Sequence, residues 1–304
     1  VTVTAPVIEV ATAAMGTVFA VQCSGDDTTA LRRRAGDALE IVAQLEATCS
    51  RFREESELAR LSATCGTAVA VSPLLFELLG LALAVADVSD GAFDPTVGRP
   101  LSRMGFMHEW AHGTPRELPA PAPASWRDVL LDHERREVTL RAPLHLDLGG
   151  IAKGFAVDLV AQALADVPLL SIHAGGDVFC RGAHPDGRDW RVGITHPVHP
   201  ERLIATAALA QGAVCTSGSY VRRTAAGHHL IDPRSGHAVQ GLRSVSVAAP
   251  TTAIADALAT AAFVMGPDIG VRWTAEQGAD ALFVTETLDV VTTPSSHVAT
   301  WTLL

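Results

Sequence analysis

Several short stretches of this chain hold residue types that can do chemistry. Gly149, Gly150 and Lys153 stand in Asp147-Leu-Gly-Gly-Ile-Ala-Lys-Gly154. Two glycines ahead of a helix let backbone N–H groups approach an anion, and the helix dipole with a lysine one turn in would strengthen binding. The same residues also fit a tight strand-to-helix turn with a solvated lysine. Neither a Walker loop nor a G-x-G-x-x-G accompanies them, so both readings stay open. Asp256 and Thr260 lie four apart in the apolar segment 253–264 and share one helical face. A carboxylate and a hydroxyl on a buried face are hard oxygen ligands suited to Mg²⁺. Alternatively, Asp256 serves the first turn of its helix and Thr260 bonds back to its own backbone.

Weaker signals follow. Gly91-Ala-Phe-Asp94-Pro95 places a carboxylate in a turn just past a helix, either as a site or as an ordinary Asp-Pro turn. His228 and His229 are adjacent. On a strand they point to opposite faces, so at most one can face a given site. Ser217 in Thr216-Ser-Gly218 lacks a G-x-S-x-G elbow, so a serine-hydrolase reading has no support.

The elements that must position these residues are legible in outline. Residues 7–23 read as strand, punctuated by Met15-Gly16. Residues 28–49 read as a helix, with Leu31, Ala35, Leu39, Val42 and Leu45 at helical spacing. Ser72-Pro73 starts a second helix that runs to about Val88. Strands near 128–146 lead to a helix that runs to about Ala165. Further strands are expected at 169–173, 178–182, 190–194, 203–209 and 243–249, then a helix over 252–265 and a final strand pair. Strands in runs with irregularly interspersed helices favour an α+β fold over a βαβ repeat. A single domain over 7–304 is expected, with lobes of about 7–110 and 126–304, a Pro/Ala-rich excursion at 111–125 and a disordered start at 1–6.

The chain has 304 residues, 48% apolar and 18% charged, which is enough to bury a sizeable core. A net charge of −10 argues against a general nucleic-acid binder. Five scattered cysteines without Cys-x-x-Cys are neither a disulfide framework nor a zinc site. The apolar stretch 74–86 is interrupted by Glu77 and too short to cross a bilayer, so no integral membrane segment is expected.

Taken together and in order, these segments resemble one family. They are Met15-Gly16-Thr17, Ser50-x-Phe52-x-x-x-Ser56-Glu57-Leu58, Gly91-Ala-Phe-Asp-Pro-Thr-Val-Gly98 and Asp147 to Asp158. Ala174-Gly-Gly-Asp177, Thr216-Ser-Gly218, His229-Leu-Ile-Asp-Pro-Arg-Ser-Gly236 and Ala255-Asp-Ala-Leu-Ala-Thr260 complete the set. The chain resembles the FAD:protein FMN transferases of the ApbE type. The resemblance implies an α+β fold with mixed or antiparallel sheets, packed helices and a flavin cleft between two intimately associated lobes. It implies FAD as substrate and Mg²⁺ as cofactor. The FAD pyrophosphate would be cleaved, FMN joined to a threonine of an acceptor flavoprotein through a phosphoester, and AMP released.

By the same resemblance, Met15, Phe52, Ala92, Phe93 and Asp94 contact FAD, Asp147, Lys153 and Ser217 hold it, and Leu230 lines the flavin pocket. Mg²⁺ takes the Gly150 carbonyl, Asp256 and Thr260, and His229 is the candidate base, with Asp256 and Lys153 completing the catalytic set. Three departures stand out: Phe52 occupies a position often held by Tyr, Ala259 one that can carry another acid, and His173 replaces the usual Asn. Two alternatives are an FAD pyrophosphatase giving FMN and AMP, and a non-catalytic FAD-binding protein. With no leader visible, a cytoplasmic enzyme is the expectation; a trimmed leader would make it exported or membrane-anchored.

Overall fold

A computed structural model describes residues 6–106, 124–182, 188–294 and 297–304. The chain opens with the hairpin β1 (Val7–Ala14) and β2 (Thr17–Ser24), turned at Met15-Gly16 with both residues at positive φ. Helix α1 (Thr28–Cys49) follows, capped by the Asp27 carboxylate accepting from Ala30 N at 2.9 Å. Its buried residues recur at helical spacing from Leu31 to Cys49. Short helix α2 (Glu57–Ser62) and strand β3 (Ala68–Ala70) lead to α3 (Pro73–Val88), which starts on a Ser72 cap with proline at the first turn. Helix α4 (Gly98–Arg103), β4 (Val129–Asp132) and β5 (Glu137–Leu140) precede α5 (Ala152–Ala163).

Strands β6 (Leu169–Ala174), β7 (Asp177–Arg181), β8 (Trp190–Thr195), β9 (Leu203–Leu209) and β10 (Gly212–Gly218) come next. Two small hairpins, β11 (Arg223–Thr224) with β12 (Gly227–His228) and β13 (Ile231–Asp232) with β14 (His237–Ala238), precede β15 (Leu242–Ala249). Helix α6 (Thr252–Glu276) and strands β16 (Asp280–Thr285), β17 (Val290–Thr292) and β18 (Thr300–Leu303) complete the fold.

An eight-stranded antiparallel sheet in the order β1-β2-β6-β7-β10-β15-β16-β17 is the frame. One face carries α1, α5 and α6 and holds the main core, including Phe19, Ile172, Cys215, Val247, Phe263 and Phe283. A second, smaller core lies where the sheet β18-β9-β8 packs Val192, Ile194 and Ala207 against Val178, Cys180 and Val214 of the large sheet. The fold is therefore α+β with antiparallel sheets, as expected.

Thr216-Ser-Gly218 ends a strand, β10, inside the large sheet, which is not among the strands expected from the sequence. The helix expected over 252–265 is interrupted where that expectation ends it: Gly266 has non-helical dihedrals, and a further helical segment runs from Pro267 to Glu276. Gly266 supplies the positive φ, and Pro267 then sits where a new helical segment needs no donor. The expected final strand pair is three strands, the last of which joins the smaller sheet. Most of the Pro/Ala-rich excursion and the disordered start lie outside the described residues.

Helix α6 is long and apolar enough by composition to span a membrane, yet it is a core helix packed on α5, β10 and β15.

Candidate functional site

The loop ahead of α5 explains how the glycines act. The amides of Gly149, Ile151, Ala152 and Gly154 already donate, to Asp147 Oδ1, the Leu148 carbonyl (twice) and Asp256 Oδ2. The expected anion cradle of free N–H groups is thus largely closed. Gly150 instead permits close approach: a Cβ there would stand 3.1 Å from Thr260 Oγ1 and 3.3 Å from the Phe93 ring. Gly154 does the same between helices, where a Cβ would fall 2.4 Å from the Thr252 carbonyl oxygen. That contact brings α5 and α6 together and sets Lys153 against Asp256.

Lys153 is half-buried and paired rather than freely solvated. Its Nζ lies 2.6 Å from Asp177 Oδ2 and 3.1 Å from Asp256 Oδ2. Both carboxylates are buried, Asp177 at 2% and Asp256 at 5% exposure. Burial works against the ammonium, but the charges of Asp177 and Asp256 override it and hold its pKa above the ordinary value. Burial pushes the Asp256 carboxyl upward and Asp177 adds to this, against the pull of Lys153. The trio carries a net charge of −1. Asp256 Oδ2 takes both of its hydrogen bonds, from Lys153 Nζ and Gly154 N. Thr260 Oγ1 sits 3.3 Å from Ser217 Oγ, at the end of β10. The Asp256 carboxylate and the Thr260 hydroxyl line one cavity with Gly150, and oxygen donors of this kind suit a hard divalent cation such as Mg²⁺. Ala259 is fully buried in the core beside them and contributes no ligand.

A cavity of about 480 Å³ opens above this cluster. All of the sequence-predicted site residues line it: Met15, Phe52, Ala92, Phe93, Asp94, Asp147, Gly150, Lys153, Ser217, His229, Leu230, Asp256 and Thr260. The volume falls in the range of small-molecule sites. Met15 is held at φ 52, its amide donating to Glu46 Oε1 at 2.6 Å. Asp94 is both turn and lining, since its Oδ1 accepts from the amide and hydroxyl of Thr96 at 2.7 Å each. Burial raises its pKa despite those bonds.

Arg51 was not foreseen. Its Nε meets Asp147 Oδ2 at 2.5 Å, its Nη2 donates to the Phe106 carbonyl, and its guanidinium stacks on Phe52 at 4.3 Å. Asp147 therefore first serves as an anchor for Arg51 and Gly149. One face of Phe52 is taken by Arg51, and the ring lines the cavity.

The two histidines part, His228 ending β12 and His229 lying just past it. His228 is buried, with Nε2–H donating to the Val239 carbonyl at 2.7 Å and its ring edge-on to Phe263. His229 lines the cavity. Its Nδ1 is 3.4 Å from the Arg222 carbonyl, which fixes the Nδ1–H tautomer and leaves the Nε2 lone pair unprotonated. Burial, with the Arg222 charge, lowers its pKa to about 4.

Asp177, the third member of the charged trio, carried no expected role. Its position at the end of the Ala-Gly-Gly-Asp turn was the available signal. His173 lies outside this cavity, on the opposite face of the sheet.

The comparisons with known proteins agree with this geometry. The ApbE family model matches residues 15–283. The chain is 31% identical over 288 residues to the FAD:protein FMN transferase of Haemophilus influenzae, covering 86% of this chain and 82% of that one. It is 34% identical over 281 residues to the protein of the same name from Treponema pallidum, covering 82% and 76%. The crystal structure of the ApbE protein from Thermotoga maritima superposes with a TM-score of 0.85 at 30% identity, covering 95% of this chain and 97% of that one. With the family model spanning most of the sequence and curated relatives above 30% identity over most of the chain, the chain belongs to the ApbE family.

Proposed function

We propose that this protein is an Mg²⁺-dependent FAD:protein FMN transferase acting on a threonine of an acceptor flavoprotein. The threonine oxygen attacks the phosphorus on the FMN side of the pyrophosphate. The new P–O bond makes the phosphoester, the P–O bond to the AMP phosphate breaks, and AMP leaves with that electron pair. The observation that carries the reading is the Lys153 ammonium held between the buried Asp177 and Asp256 carboxylates beside Thr260. A net −1 cluster would repel a pyrophosphate by itself and attracts a divalent cation that can stand between them. Mg²⁺ held by Asp256, Thr260 and the Gly150 carbonyl would neutralise the pyrophosphate and stabilise the charge developing in phosphoryl transfer.

The remaining work falls to the chain. Phe52 would stack on a flavin or adenine ring, and Met15, Ala92, Phe93 and Leu230 supply apolar lining. Lys153 fixes the two carboxylates in one geometry. His229, neutral and with Nε2 free, accepts the threonine proton.

The test is FAD turnover with Mg²⁺, with and without an acceptor protein carrying a threonine motif. AMP is quantified, and the denatured acceptor is checked by mass and in-gel flavin fluorescence. AMP release with a covalently labelled acceptor is expected. AMP and free FMN regardless of acceptor would establish a pyrophosphatase instead, and FAD bound but uncleaved a binding protein.

A further inference from the structure

A second cavity, of about 840 Å³, lies on the face of the large sheet opposite the helices. Its floor is Gln22, Ser171 and His173, which share one face because Gln22 pairs with Ser171 and residues two apart point the same way. One wall is β8. That strand ends its sheet and pairs only with β9 among the described residues, so its other edge, along 191–195, meets no strand. The groove then runs to the Gly175-Gly176 turn, whose two glycines hold positive φ and place no side chain in the way. There it adjoins the first cavity, Gly175, Thr216 and Val221 lining both.

From this adjacency we infer that the groove seats the acceptor protein, as an extended segment added to the free edge of β8 with its threonine delivered past Gly175-Gly176 to the phosphates. The inference rests on the transferase reading, which requires a polypeptide hydroxyl to reach the FAD site. An unpaired strand edge is a template for a further strand, with backbone bonds giving affinity and alternate side chains giving specificity. The floor residues select what enters. His173 stands exposed over it, its Nε2 at 3.0 Å from Ser171 Oγ. Here the departure of His173 from the family residue gains a function: it shapes the acceptor groove and leaves the FAD site untouched.

The probe is a library of ten-residue peptides with a fixed central threonine, sorted for covalent flavin fluorescence after incubation with the enzyme, FAD and Mg²⁺. Two measurements follow on a selected peptide. First, His173→Trp fills the groove floor and is expected to raise KM for the peptide at least tenfold, with kcat, FAD affinity by flavin fluorescence and melting temperature unchanged. Should that variant lose FAD affinity or melt early, Gln22→Trp fills the same floor from β2 and is read the same way. Second, N-methylation at every other peptide residue removes the donors of one edge. Because a strand bonds its neighbour through alternate residues only, one phase should abolish labelling and the other leave it intact. Equal labelling by wild type and the filled variant overturns the groove, and equal sensitivity to both methylation phases overturns the strand addition. If no peptide is labelled while FAD is cleaved to FMN and AMP, the transferase reading itself fails and this inference with it.

Discussion

The ammonium of Lys153 organises the site, and removing it exposes the cost of the arrangement. Lys153→Met should leave Asp177 and Asp256 buried without a countercharge and destabilise the fold by about 3–5 kcal/mol, as read from urea unfolding. Adding Asp177→Asn should recover part of that loss, because one of the two orphaned charges is gone. Asp256→Asn is expected to keep the fold and FAD binding while cutting Mg²⁺-dependent AMP release by at least about a hundredfold. Wild-type turnover in that variant would sink the metal assignment. His229→Gln should lower turnover by about 10²–10⁴-fold. With a folded pKa of about 4 against an ordinary 6.5, His229 stays neutral down to acid pH. The limb of the wild-type profile due to His229 therefore falls near pH 4 rather than 6.5, and it disappears in the variant. The sign for stability is the same: the unfolded chain binds the extra proton between 6.5 and 4, so this group favours the fold above that window and less within it. Asp256, Thr260 and the glycines were legible because their spacing sets a shared face or a turn. Asp177 was not, since its importance comes from Lys153, 24 positions away and brought to it only by the sheet.

At the scale of elements, the junction of α5 and α6 does most to hold the site together. Thr251 provides no side-chain cap for α6. Asp158, on α5, does it instead, accepting from Thr252 N and Ala253 N at 2.8 Å each. One helix thus caps the other one turn before Asp256. Asp158→Ala should cost about 1–2 kcal/mol, at the upper end for a lost cap. Gly154→Ala should be worse for function than for helix propensity. Its Cβ has nowhere to go against the Thr252 backbone, so the helices must part and Lys153 must draw away from Asp256. Loss of FAD cleavage alongside a destabilisation of about 1–3 kcal/mol is the expected pairing, measured by AMP release and melting. Helices α1 and α3 were legible almost to the residue, because the apolar spacing from Leu31 to Leu45 marks the first and Ser72-Pro73 the start of the second. The break in α6 was legible too, since Gly266-Pro267 reads as a stop and Gly266 does interrupt the helix; the second segment, to Glu276, was not read because Pro267 starts it with no polar cap ahead of it.

For the molecule as a whole, the class was legible from the runs of strands, but the strand order was not. No local pattern announces that β2 pairs with β6 across more than a hundred residues, or that β10 sits between β7 and β15. The sheet divides the labour: its helical face holds the charged trio, and its other face carries the groove. The distance in sequence between Lys153 and Asp256, 103 positions, bears on how the protein is made. Contacts of such separation close late, after the loop entropy has been met by other pairings. During refolding, recovery of FAD binding should lag behind the far-ultraviolet signal of strands and helices. On the ribosome, a nascent chain that has not yet released α6 lacks Asp256 and Thr260. If those two residues hold the metal as proposed, FAD cleavage cannot begin before that helix has emerged and packed on α5.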